Sequence, residues 1–187
     1  MEEEILNTVK ALKAGKTILY PTDTIWGIGC DATGSRAVQK IYKLKERMES
    51  KSLIVLLDSA EKLPHYVEKV PKIAWDLIDS INTPLTIIYP NAKNLAKNVI
   101  AKDKTIAIRI TKDEFCRRVI EMFKKPVVSS SANISGDPTP LMFNKISNRI
   151  IDGVDYIVKL YHNRIKDVKP STIIKLDVNG EFEIIRK

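Results

Sequence analysis

The run Leu53-Ile54-Val55-Leu56-Leu57 is apolar at every position. A strand of that kind is stable only where both of its faces are covered, because successive side chains point to opposite sides. Further β-like runs recur at 17–20, 25–30, 85–89, 105–110 and 126–129, and stretches with helical spacing separate most of them. Residues 2–14 place Ile5, Leu6, Val9 and Leu12 on one helical face, with Gly15 as terminator. Ser35 is placed to cap a helix carrying Val38, Ile41, Tyr42 and Leu44. Further helices are expected after Ser59, from Pro71, at 113–123 and at 142–151. Strands are expected at 154–159, 171–176 and 181–186, the last two joined by a turn at Gly180. The pattern predicts an α/β fold: one domain over residues 1–187, built on a twisted mixed sheet with helices on both faces. No repeat, Pro-rich linker or low-complexity stretch marks a boundary.

Charge narrows the partners. Lys and Arg number 31 against 23 acidic residues, a formal charge of +8, which favours anions such as nucleotides, phosphates and RNA without choosing among them. Cys30 and Cys116 are far apart and form no Cys-x-x-Cys pair, so they are expected as buried thiols rather than metal ligands. His65 and His162 lack ligand spacing and are expected as surface or structural residues. The acidic start Met1-Glu2-Glu3-Glu4 is unlike a signal peptide, and no apolar run approaches the ~20 residues of a bilayer span, so a cytoplasmic protein is expected. The Gly-rich phosphate loops of P-loop and dinucleotide-binding proteins are missing, as is the nucleophile elbow of hydrolases.

Three segments could carry chemistry, and each has a plainer reading. In Pro21-Thr22-Asp23-Thr24, hydroxyls and a carboxylate cluster at a strand end, where open α/β sheets bind ligands; the same residues could simply bond their own backbone in a turn. Lys45, Arg47 and Lys51 follow a helix and could grip a triphosphate, or form a solvated helix end favoured by the macrodipole. Ser129, Ser130, Ser131 and Asn133 run from a buried strand into Gly136, either as oxyanion donors or as a self-bonded turn. Arg109 lies among apolar strand residues, and a desolvated guanidinium needs an anion, whether ligand or structural carboxylate.

Together these segments resemble the YrdC-like threonylcarbamoyl-AMP synthase family. Its patterns are Pro-Thr-[Asp/Glu]-Thr-x-[Tyr/Phe/Trp]-Gly-[Leu/Ile]-Gly, Lys-x-Arg with a following Lys, and Ser-x-Asn, and all three occur here in order. Ala107-Ile108-Arg109, Pro84-Leu85-Thr86, the 170–174 segment Pro-Ser-Thr-Ile-Ile and Ile185-Arg186 extend the likeness over residues 15–186. The resemblance implies a YrdC/RibB-like fold with a basic concave cavity. It implies synthesis of L-threonylcarbamoyladenylate and pyrophosphate from L-threonine, bicarbonate and ATP, for the N6-threonylcarbamoyladenosine modification at position 37 of tRNAs reading ANN codons. It assigns threonine and carbamate binding to Thr22, Thr24, Arg109, Ser129 and Ser171. ATP binding falls to Lys45, Arg47, Lys51, Ser131, Asn133 and Arg186, with Lys45 and Arg47 also catalytic. Mg²⁺ would accompany ATP, with no protein metal site and no organic cofactor. A downstream threonylcarbamoyl transferase complex is the implied partner, with tRNA or other RNA, double-stranded RNA included, as a further one and no membrane.

Two competing readings are an RNA-binding module without catalysis and a carbamoyl-transfer domain like that of hydrogenase maturation proteins. The second normally sits in a much longer chain. Departures from the family are Ser80-Ile81-Asn82-Thr83 where many members carry Trp-Pro-Gly, and Leu56 and Leu57 where many carry a histidine. The extra C-terminal domain of longer members is expected to be lacking.

Overall fold

The computed structural model describes residues 1–49, 53–163 and 170–187. The helices are α1 (Glu2–Lys13), α2 (Ser35–Leu44), α3 (Leu63–Tyr66), α4 (Lys72–Ser80), α5 (Glu114–Phe123) and α6 (Asn148–Gly153). The strands are β1 (Ile18–Tyr20), β2 (Gly27–Gly29), β3 (Ile54–Leu57), β4 (Leu85–Tyr89), β5 (Ile106–Ile110), β6 (Val127–Ser131), β7 (Tyr156–Ile157), β8 (Thr172–Leu176) and β9 (Phe182–Arg186). Among the described residues they form one mixed sheet in the order β7-β1-β2-β6-β3-β5-β4-β8-β9. The pairs β7/β1, β3/β5 and β4/β8 are parallel and the rest antiparallel.

Side-chain alternation sorts the core into two layers. Leu19, Ile28, Val55, Leu57, Ile87 and Ile108 enter one cluster with Val38 and Ile41 of α2, Ala74 of α4 and Ile150 of α6. Their neighbours Ile18, Tyr20, Leu56 and Val127 point the other way, against Ile5, Val9 and Leu12 of α1 and Phe115, Val119 and Ile120 of α5. Helices therefore cover both faces, as the all-apolar β3 requires. The coverage is unequal. On the α1/α5 face, Ala107, Arg109, Ile88 and Ile173 stand beyond the two helices and floor a cavity lined only by strand and loop residues.

Local chemistry explains the helix ends. Acidic residues fill the first turn of α1 and lysines its last, matching the helix dipole. Asp113 caps α5 by accepting from the Cys116 amide, and Lys124 ends it in the left-handed region at φ 64°. Several expectations shift: the strand expected at 154–159 is only Tyr156–Ile157, and Pro71 caps α4 rather than opening it. Ser35 is the first residue of α2 rather than its cap, because Gly34, extended at φ −102°, holds the cap position behind the turn closed by Asp31 and Thr33. The helix expected at 142–151 is broken: a 3₁₀ turn at Phe143–Lys145 is separated from α6 by extended residues Ile146 and Ser147, and Ile146 is buried in the core.

Gly29 marks the tightest approach in the sheet. A Cβ there would lie 2.5 Å from the Val128 carbonyl oxygen and 2.7 Å from the Tyr20 ring. Gly29→Ala is therefore expected to destabilise the fold by about 1–3 kcal/mol, the usual cost of overpacking. The urea midpoint measures it, and an unchanged midpoint would mean that β2 and β6 can separate freely.

Candidate active site

The cavity on the α1/α5 face encloses about 330 Å³, within the range of small-molecule sites. It brings together Thr22 and Thr24 from the loop after β1, Arg47 from the turn after α2, and Arg109 from β5. Ser129 and Ser131 join them from β6, Ser171 from before β8 and Arg186 from β9. Lys51 lies outside the described residues. Lys45 and Asn133 adjoin the cavity wall without forming it.

Lys45 is the clearest departure from expectation. It was expected to meet nucleotide phosphates, but its side chain is 1% exposed and its Nζ donates to the backbone carbonyls of Ser131 and of Asn133, the latter at 2.5 Å. The Ser135 amide donates back to the Lys45 carbonyl at 2.8 Å. A buried ammonium has to be met by acceptors, and these carbonyls meet it. Lys45 thus fastens the 131–135 loop to the end of α2. Burial, reinforced by the nearby Arg47 charge, pulls its pKa down to about 8. Asn133 shares in that loop: its Nδ2 donates to the carbonyls of Ile134 and Asp137, which is the self-bonded turn. Its Oδ1 is buried with no hydrogen-bond partner among the described residues.

Arg109, 3% exposed, finds a structural carboxylate. Its Nη2 lies 3.1 Å from Asp23 Oδ1, and its Nη1 donates to Thr24 Oγ1 at 3.4 Å. Asp23, the carboxylate of the Pro-Thr-Asp-Thr cluster, is a residue to which the family resemblance assigns no role. Thr22 shows the turn chemistry directly, accepting from the Thr24 amide and donating to the Ile25 carbonyl at 2.7 Å. Both plain readings of that loop and the convergence on a cavity therefore hold together, since the turn is what aims Thr24 at Arg109.

On the opposite wall, Arg186 donates through Nε and Nη2 to the Ser171 carbonyl at 3.1 and 2.8 Å. Ser171 Oγ is 2.9 Å from Thr86 Oγ1, a second residue without an assigned role. Burial, and then repulsion from Arg109, lowers the Arg186 pKa. Burial does the same for Arg47. Among the described residues, three guanidinium groups thus face one cavity and no carboxylate lines it, a field that favours anions. Beside it, Trp26 and His162 pack on Phe143, with the His162 and Phe143 rings stacked at 3.8 Å, so His162 is a structural residue.

Among the described residues no group of three or more His, Cys, Asp or Glu side chains could hold a metal ion. None of the described helices is long and apolar enough to cross a membrane.

The family profile that matches residues 10–187 is that of the Sua5, YciO and YrdC proteins, described as "Telomere recombination". A threonylcarbamoyl-AMP synthase of Pseudoalteromonas translucida is 34% identical over 161 residues, covering 84% of this chain and 86% of that protein. The structure of P. abyssi Sua5 complexed with L-threonine superposes with a TM-score of 0.86 at 26% identity, over 94% of this chain and 52% of that one. This chain therefore spans about half the length of that Sua5. E. coli YciO shares the fold with a TM-score of 0.85 at 24% identity, over 100% of this chain and 90% of that one.

The Lys45 clamp generates a pH dependence. The ammonium is the form that holds both carbonyls, and its depressed pKa means that raising the pH through about 8 discharges it. Affinity for inorganic pyrophosphate, measured by calorimetry, should fall between about pH 7 and about pH 9, below the ordinary lysine range. Lys45→Met should weaken binding at every pH and remove that step; a step that survives in the variant assigns the titration to another group.

Proposed function

Because the chain belongs to the Sua5, YciO and YrdC family, we propose that it is an L-threonylcarbamoyladenylate synthase. L-threonine and bicarbonate condense to N-carboxythreonine with loss of water; the carbamate oxygen attacks the α-phosphorus of ATP, the bond to the β-phosphate oxygen breaks, and pyrophosphate leaves. The product would serve N6-threonylcarbamoyladenosine formation at position 37 of tRNAs reading ANN codons, through a downstream transferase complex in the cytoplasm.

One observation carries the reading: Arg47, Arg109 and Arg186 share a cavity of about 330 Å³ with Thr24, Ser129, Ser131 and Ser171. The reaction gathers a carboxylate, a carbamate and a polyphosphate in one place. Its chief requirements are alignment and charge neutralisation, and fixed guanidinium groups meet both without a protein nucleophile. Arg109, held by Asp23, would offer its remaining capacity to the threonine carboxylate, with Thr24 and Ser171 beside it. Arg47 and Arg186 would neutralise the phosphates. Ser131, in the loop that Lys45 holds in place, would donate to their oxygens. The described lining supplies hydroxyls and guanidinium groups rather than carboxylates. Mg²⁺ enters as part of the MgATP substrate.

The direct test is pyrophosphate release from purified protein given ATP, threonine and bicarbonate. Release that requires threonine supports the reading. Salt-sensitive RNA affinity with no release would make the chain the RNA-binding module, which its charge of +8 would also suit. Arg47→Ala is expected to raise the apparent ATP constant by about 10- to 100-fold, the loss of a charge-assisted hydrogen bond of ~1.5–3 kcal/mol. Ser131→Ala should cost about 1–3 kcal/mol of ATP binding, and unchanged ATP constants in both variants would remove the nucleotide from this cavity.

A further inference from the structure

A second cavity lies on the other face of the sheet, under α4. It encloses about 200 Å³, and its walls are mainly apolar: Ile78 and Ile81 from above, Ile87 of β4 and Ile110 of β5 from below. That is the room of roughly six or seven waters, or of one side chain of leucine or phenylalanine size. The lining also carries the uncharged polar residues Asn82 and Thr83, and its charged residues are Asp23, Lys112 and Asp113. Lys112 Nζ donates to the Ile81 carbonyl at 2.9 Å, and Asp113 is fixed as the cap of α5.

Asp23 lines this cavity alone, but it links the two through its partner. Its carboxylate forms part of this wall and also pairs with Arg109 at 3.1 Å, and Arg109 lines the cavity on the opposite face. Asp23 Oδ1 is buried and receives no hydrogen bond of good geometry from the described residues, leaving its pairing to charge alone. Arg109 Nε is likewise buried without a partner among them.

We propose that the cavity under α4 is a second small-molecule site, fitted to an apolar α-amino acid, and that its occupant acts on Arg109 through Asp23. The choice of ligand follows from the rim. Apolar walls take a hydrocarbon side chain. Two carboxylates beside a single lysine favour an ammonium group and oppose a phosphate, while Lys112 is placed to take a carboxylate. An ammonium beside Asp23 competes with Arg109 for the same oxygen. The guanidinium then turns more of its charge to the cavity on the other face, so the occupant tightens anion binding there. Coupling of this kind is reciprocal and typically about 5-fold or more.

L-Phenylalanine is the probe, because it is too large to imitate threonine. Calorimetry should show it binding the wild-type protein, with affinity reduced at least about tenfold, or about 1.4 kcal/mol, by Ile78→Trp, which fills the cavity. Lys112→Ala, at an exposed position, should weaken it comparably and serves if Ile78→Trp does not fold. The Arg109 side-chain Nε–H resonance should shift when phenylalanine is added to the wild-type protein. No binding at millimolar concentration, or binding that both variants leave intact, overturns the site. Binding lost in the variants with an unmoved Arg109 resonance overturns the link through Asp23. The relay's benefit to the reaction rests on the synthase reading, but these readouts do not: they stand or fall whether or not threonine-dependent pyrophosphate release is found.

Discussion

A guanidinium buried to 97% inside a sheet dictates much of what surrounds it. Arg109 is only 3% exposed, and removing such a charge from water costs several kcal/mol unless anionic and polar groups repay it in place. Asp23 supplies the charge and Thr24 the polar contact. The loop after β1 is therefore held against the end of β5, and the Thr22 turn keeps its shape while reaching across. The same pairing leaves Arg109 with more donors than its neighbours use. A cation held firmly yet incompletely satisfied is suited to an incoming carboxylate.

The layering of the sheet explains why the site is where it is. Both faces of β3 are buried, but α1 and α5 cover their face only in part, so the remaining strand surface forms a basin instead of a core. Side chains of opposite parity on β4 and β5 then look into different spaces. Ala107 and Arg109 face the basin, and Ile108 and Ile110 face the cavity under α4. Two chemically unlike cavities, one cationic and one mainly apolar, follow from the two-residue repeat of a single strand.

This repeat is also why so much of the architecture was legible beforehand. A five-residue run such as 53–57 without a polar position admits few placements, and its strand lies where the pattern indicates. The helical face of Val38, Ile41 and Tyr42 is equally local and equally well preserved. The misreadings are all tertiary in origin. Ile146 leaves the helical path because the core has a place for it. Lys45 looked like an exposed cation at a helix end, and nothing near it in the chain signals that carbonyls 86 and 88 residues away will receive its ammonium. The cavity residues Thr24, Arg109, Ser131 and Ser171 were identifiable through the family's motifs, whereas the Asp23 pairing and the Thr86 contact needed coordinates. Strand order was not encoded in any local pattern, because β6 separates β2 from β3 and β5 precedes β4 across the sheet.

The placement of β8 and β9 beside β4 carries a further consequence for biosynthesis. Pro170, Ser171, Ile173 and Arg186 complete the basin's wall, yet they leave the ribosome after the other described residues that line it. Contacts so distant along the chain are slow to close. The nascent polypeptide can thus assemble most of its hydrophobic interior while its anion-gathering apparatus is still missing a side. Anion binding in the basin would therefore arise late, once the final hairpin docks.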